Sequence, residues 1–271
     1  LNRLGVVWDD GVNAKFSDTA LFERLKEGLD QEKGFTYFSQ GSGEAPSSAK
    51  KITAEYRAPL LAHAAMEPIN CTAQLVKDQL SLWVPTQVPS IAVSAAARAL
   101  GLSEDQVSLH MTYLGGGFGR RLETDMVVQA AMLARAAKGA PVRLVWSRED
   151  DMAHDFYRPA AVARLSAALD ASGRVLHWES HSASGAPVQQ MLARAFGLPQ
   201  MGPDKTTVEG LHDHCYEIPS QHASHMKVDT PVALGSWRSV GHSHNAFFKE
   251  SFIDELALAA GQDTLSFRRK M

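Results

Sequence analysis

The sequence predicts an α+β fold on three observations. Short apolar strands and amphipathic helices are interleaved without the regular βαβ rhythm of a doubly wound sheet. Two long strand patterns, 161–169 and 174–184, meet at Ala171-Ser172-Gly173, which reads as a hairpin. A length of 271 residues at 45% hydrophobic content supplies a core for one large domain or two ordinary ones, and excludes intrinsic disorder. No repeat of solenoid or propeller period is visible.

Taken in order, Leu4 to Trp8 is a short apolar strand ending in Asp9-Asp10-Gly11. Ser17 and Asp18 cap a helix from about Thr19 to Leu29, with Leu21, Phe22, Leu25 and Leu29 on one face. Residues 39–50 are rich in Gly, Ser, Ala and Pro and read as a linker, which divides the chain at 1–50 and 51–271. Ile52 to Tyr56 is a strand stopped by Pro59, and Leu80 to Val84 is another. A helix begins at Pro89-Ser90, runs to Leu100 and is terminated by Gly101. Val107 to Leu114 alternates as a strand and leads into glycines at 115–119. Thr124 caps a helix to Ala137, with Gly139 beyond its end, and Val142 to Trp146 is a strand. Residues 185–215 give no clear pattern. His222 to Val228 reads as a strand, and Asn245 caps a final helix, 246–260, closed by Gly261.

Lys plus Arg is 27 and Asp plus Glu is 30, for a net charge of -3. This excludes a general field for nucleic acid or an anionic membrane, so an anionic ligand needs a local site. No run approaches the roughly 20 apolar residues of a bilayer span. Cys71 and Cys215 can form one bridge at most and no disulfide framework. The chain opens on Leu1 without a leader pattern and reads as a processed or truncated piece.

Three constellations carry possible chemistry. Gly115-Gly116-Gly117-Phe118-Gly119-Arg120-Arg121 lies between a strand and a helix, where glycines let backbone N–H groups approach a ligand and arginines could hold phosphate. It satisfies neither the Rossmann pattern nor the P-loop, so a tight turn with solvated arginines stays open. Gly241-His242-Ser243-His244-Asn245 is similar to a nucleophile elbow, with Asn in place of the last glycine, which makes a serine hydrolase using Ser243 the rival enzyme. A non-catalytic α+β binding module is the other alternative. His212, His214, Cys215, His222 and His225 offer zinc-type ligands, but without H-E-x-x-H or paired C-x-x-C they read as surface histidines.

Four segments in order change the reading. They are His63-Ala64-Ala65-Met66-Glu67-Pro68, Leu82-Trp83-Val84-Pro85-Thr86-Gln87, the glycine loop, and Ser236-Trp237-Arg238-Ser239-Val240-Gly241-His242-Ser243-His244-Asn245 followed by Glu250-Ser251-Phe252-Ile253-Asp254-Glu255. Together they resemble the molybdenum-binding large subunit of the xanthine dehydrogenase and aldehyde oxidase family. The Gly-Phe-Gly-Arg-Arg and Trp-Arg-Ser-Val segments are most similar to its isoquinoline oxidoreductase branch.

The resemblance implies the first part of a molybdopterin-binding domain over 51–271, preceded by the tail of a hammerhead-type domain. The family oxidises aldehydes or N-heterocycles with oxygen from water. The implied cofactor is molybdopterin in its cytosine dinucleotide form, carrying molybdenum. Gln87 matches the glutamine that hydrogen-bonds an oxo ligand of the metal. Gly116, Gly117, Phe118, Gly119 and Arg120 match the first cofactor loop, and Arg238, Ser239 and Gly241 the second. No side chain is expected to ligate the metal directly. The substrate-binding glutamate of purine-oxidising relatives is missing, although Glu123 is adjacent, which argues against purines. The catalytic glutamate of the family lies in a Gly-x-Gly-Glu motif far downstream and is expected beyond Met271. Glu44 mimics that motif, but precedes the cofactor loops. The resemblance therefore implies part of a subunit, inert alone. An iron–sulfur electron-transfer subunit and a cytochrome are the implied partners, and the periplasm the implied compartment, with the cytoplasm as the alternative.

Overall fold

The computed structural model describes residues 5, 7, 9, 11–31, 34–42, 44–199 and 202–271. The strand expected at Leu4 to Trp8 falls largely outside them. Two sheets, each with its own helical cover, confirm the α+β class.

The larger sheet has five strands in the spatial order β1 (Phe35–Gln40), β9 (Ser220–Lys227), β8 (Val175–Ser184), β7 (Ala161–Leu169) and β2 (Lys50–Ala58). β7 and β8 form the expected antiparallel pair, and β8 and β9 run parallel. The stretch read as a linker, 39–50, is instead the end of β1, a turn, and the first residue of β2, so it joins two strands of one sheet. Both faces of β7 are covered, which explains its nearly unbroken apolar run. Helix α1 (Asp18–Leu29) lays Leu21, Leu25 and Leu29 against Ala160, Val162 and Ala183 on one face. Its N-terminus is capped as expected, with the Ala20 N–H donating to Ser17 Oγ at 3.2 Å. On the other face, α6 (His242–Ala259) and α7 (Thr264–Lys270) pack Phe248, Phe252, Ile253, Leu256 and Phe267 onto Leu165 and Trp178. Each large side chain so buried contributes about 1.5–3 kcal/mol.

The smaller sheet has the order β5 (Val107–Met111), β4 (Gln79–Val84), β3 (Asn70–Val76) and β6 (Val142–Val145). Its core lies under α2 (Pro89–Leu100) and α3 (Asp125–Ala136). Gly101 ends α2 at φ 70, the left-handed conformation its position requires. Two short helices complete the set, α4 (Arg148–Ala153) and α5 (Pro187–Phe196), the latter within the segment that gave no pattern. No helix among the described residues is long and apolar enough to cross a membrane.

Two expected caps differ. Thr124 precedes α3 but its hydroxyl makes no capping bond. Asn245 lies inside α6, which starts a turn earlier. Its buried amide donates to the Thr207 and Glu209 carbonyls at 3.0 and 2.9 Å, fastening the helix to the preceding loop.

Candidate functional site

The segments singled out in the sequence converge where the two sheets meet. Each loop follows from local geometry. The glycine loop leaves β5 and must turn sharply, and Gly116 (φ 105), Phe118 (φ 54) and Gly119 (φ 108) all take left-handed conformations. Gln87 follows β4, and its backbone N–H donates to the Arg121 carbonyl at 3.0 Å. The second loop docks from above, its Arg238 N–H donating to the Phe118 carbonyl at 2.7 Å. Ser239 (φ 75) and Val240 (φ 46) are left-handed without being glycine, the kind of strain that clusters at functional sites. Gly241 is the buried N-cap of α6.

The Gln87 carboxamide has a defined direction. Its Oε1 accepts the Gly119 N–H at 3.2 Å, which only an oxygen can do. The Nε2 amino group is therefore turned the other way, with no protein partner among the described residues. A Cβ on Gly117 would stand 2.6 Å from this Oε1, so glycine is required for the carboxamide to lie across the loop. Arg238 is exposed, and its guanidinium has no hydrogen-bond or ion-pair partner among the described residues.

The loop's own arginines are engaged elsewhere. Arg120 is 2% exposed, and its Nη1 and Nη2 donate to the two Asp125 oxygens at 2.9 and 2.7 Å. Its Nε lies 3.1 Å from Asp155 Oδ1, and the guanidinium covers the Phe156 ring at 4.9 Å. Burial opposes the Arg120 charge, but Asp125 and then Asp155 outweigh it and raise the pKa further. Arg121 donates to the Glu67 and Pro68 carbonyls, each at 3.1 Å. Neither side chain is left at the loop's edge; Arg120 and Arg121 are buried and brace the loop from beneath.

That foundation contains two groups that the sequence did not assign. His63 Nδ1 is 3.0 Å from both Asp155 oxygens, and its Nε2 is 3.3 Å from the Ser236 carbonyl. Arg194, from α5, clamps Glu123 at 2.5 and 3.0 Å and donates to the Leu234 carbonyl at 2.7 Å. His63 stands in a quoted motif, but Asp155 and Arg194 have no local signal, since their partners are far away in sequence.

The rival sites do not assemble. Ser243 Oγ accepts from Arg158 Nη1 at 3.1 Å in the first turn of α6, with no histidine hydrogen-bonded to it among the described residues. His244 is buried with its pKa pushed down to about 3 by desolvation, and then by Arg158, so it is neutral. Ser243→Ala is accordingly expected to cost about 1 kcal/mol of stability and to leave reactivity toward a serine-directed phosphonate unchanged, as read by labelling and urea unfolding. The histidines at 212–225 form no metal-binding group among the described residues. They are not all surface groups either. His225 is buried in β9, bonded at 2.9 Å to Ser182, and His214 receives Gln221 Nε2 at 3.0 Å. Cys71 is buried and Cys215 exposed, both free. Glu44 lies in the exposed β1–β2 turn.

Comparison with known proteins matches residues 29–271 to the family described as a molybdopterin cofactor-binding domain. The chain is 30% identical over its whole length to the membrane-bound aldehyde dehydrogenase [pyrroloquinoline-quinone] of Gluconacetobacter polyoxogenes, covering 36% of that protein. It is 31% identical over 79% of its length to isoquinoline 1-oxidoreductase subunit beta of Brevundimonas diminuta, covering 27% of it. It thus spans about a third or less of these relatives. Among solved structures, quinoline 2-oxidoreductase from Pseudomonas putida 86 superposes with a TM-score of 0.70 at 21% identity, over 90% of this chain and 33% of that one, a likeness of fold.

Proposed function

The chain belongs to the molybdopterin cofactor-binding domain family, and on that premise we propose that its two loops and Gln87 form one wall of the molybdenum site of a hydroxylase. The substrates of that enzyme are aldehydes or N-heterocycles, and the oxygen it adds comes from water. The names of the relatives, an aldehyde dehydrogenase and an isoquinoline oxidoreductase, support this substrate class.

The observation that carries the reading is the outward Gln87 amino group. It is an uncharged donor, fixed in direction by the Gly119 N–H on Oε1, and the absence of a side chain at Gly117 leaves room for the carboxamide to lie this way. Such a donor suits an oxo-rich metal group. When bound, molybdopterin supplies a metal that accepts two electrons from the substrate. The unpartnered Arg238 guanidinium suits a phosphate of the cofactor, and the likeness to an isoquinoline oxidoreductase subunit supports its cytosine dinucleotide form. Phe118, 42% exposed on the loop, offers an apolar face beside it.

The base is assigned to a segment outside this sequence. Glu67 accepts the Gly115 N–H at 2.9 Å and pairs with Arg121, Glu123 is held by Arg194, and Glu44 is in the β1–β2 turn. Electron transfer is assigned to a separate iron–sulfur subunit with a cytochrome beyond it. This chain has two cysteines, short of the four a cluster takes, and relatives bear subunit names.

The test uses the protein that carries this chain. Molybdenum is expected near one per chain by elemental analysis, with pterin fluorescence after oxidation. Gln87→Ala is expected to lower kcat about 10²-fold with molybdenum content retained and little change in Tm. Active protein holding zinc or a quinone in place of molybdenum would overturn the reading, as would a normal kcat for Gln87→Ala.

A further inference from the structure

We propose that His63 is a positioning residue that sets the spacing of the two cofactor loops by bridging the charge network under the first to the backbone of the second. This rests on the cofactor reading above for its functional meaning, but the bridge itself is a property of the chain.

The geometry is specific. The His63 side chain is 1% exposed, between the first loop and the segment leading to Arg238. On one side it faces Asp155, which takes the His63 backbone N–H at 2.5 Å as well as the ring Nδ1. Asp155 also pairs with Arg120 of the first loop and accepts the Phe156 N–H at 2.7 Å. On the other side His63 Nε2 points at the Ser236 carbonyl. That carbonyl is also the closest approach to Gly119, where any Cβ would overlap it. The ring, Gly119 and Ser236 therefore meet at one point. Two residues after Ser236 and one before Gly119, the loops are joined again by the Arg238 N–H on the Phe118 carbonyl. A rigid imidazole, with one nitrogen anchored to a buried carboxylate, fixes where Ser236 can sit. Through it the ring fixes where the Arg238 backbone, the root of that exposed side chain, stands relative to Gln87.

Two conservative variants separate the two ends of the ring. In asparagine the side-chain amide nitrogen lies as many bonds from Cα as His63 Nδ1, so His63→Asn keeps the donor to Asp155 and loses the one to Ser236. In glutamine it matches Nε2, so His63→Gln keeps the donor to Ser236 and loses the one to Asp155. Hydrogen exchange is measured on the cofactor-free full-length protein, and molybdenum content on the loaded one. His63→Asn is expected to speed exchange of the Arg238 and Gly119 amides about tenfold, with β7 and β8 unchanged, and to lower molybdenum per chain. His63→Gln is expected to leave both loop amides within about twofold of wild type. Equal behaviour of the two variants would overturn the bridge, whether both match wild type or both loosen the sheets together. If wild-type protein holds no molybdenum, the cofactor reading fails while the exchange data still decide the bridge.

Discussion

Gly119→Ala is expected to strip the site of its cofactor. At φ 108 and ψ -27 an L-residue is strained, which costs about 1–2 kcal/mol. The added methyl is driven into the Ser236 carbonyl, a backbone atom held by His63 and unable to swing aside. Forcing the loops apart adds about 1–3 kcal/mol. The combined effect falls where the two cofactor loops touch, so molybdenum per chain is expected to drop at least about tenfold, with a lower urea midpoint. Gly139→Ala is the control. Gly139 is also left-handed, at φ 96, but nothing lies within 4 Å of its would-be Cβ. If the Gly119 variant retains as much molybdenum as the Gly139 variant, strain alone was at work and the contact between loops does not matter.

Asp155→Asn is expected to cost about 3–5 kcal/mol of stability, because it leaves Arg120 without one of its two counter-charges in a buried setting. Burial by itself would raise the Asp155 pKa, but hydrogen bonds from His63 and the charges of His63 and Arg120 reverse this and hold it below the ordinary 3.8. The sign of the pH dependence follows. The unfolded chain binds this proton more readily than the folded one, so the carboxylate's contribution is complete above the ordinary value. It is lost as pH falls through 3.8 toward the lower folded value. Urea midpoints should therefore show a constant gap between wild type and variant from about pH 5 to 8, narrowing only below about pH 4. A gap that widens on acidification would show that the native pair does not favour the charged carboxylate.

The sequence made some of this legible and hid the rest for physical reasons. Pro89 and Gly101 mark the ends of α2 because both act through their own backbone angles. β7 and β8 were visible as long apolar patterns around a tight turn. β3 was not, since its inward positions include Cys71 and Ala73, too small to make the alternation stand out. Asn245 looked like a helix cap because its type favours that place, yet a tertiary demand, two orphan carbonyls at 207 and 209, claimed its amide. In the site, Gln87, the glycine loop and Arg238 could be named because each sits in a short run of distinctive residues. Their foundation could not. Asp155 serves His63 across 92 positions, and Arg194 serves Glu123 across 71, and no local pattern announces such pairs. The arginines next to the glycines invited a phosphate-binding role, but adjacency in sequence says nothing about which face a side chain takes.

The strand order has a consequence for how the chain is made. β1 pairs with β9, Phe35 opposite His225, across about 190 residues, while β7 with β8 and β3 with β4 are neighbours in the chain. At ribosomal rates of 5–20 residues per second, β1 waits roughly 10–40 s for its partner to be synthesised. The nearby hairpins close in microseconds once they emerge. During that interval Phe35, Tyr37 and Phe38 belong to an unpaired strand edge in a nascent chain, a template for pairing with the wrong molecule. A chaperone that shields this short aromatic segment until Ser220–Lys227 arrives would raise the yield of folded protein more than one acting on any later strand.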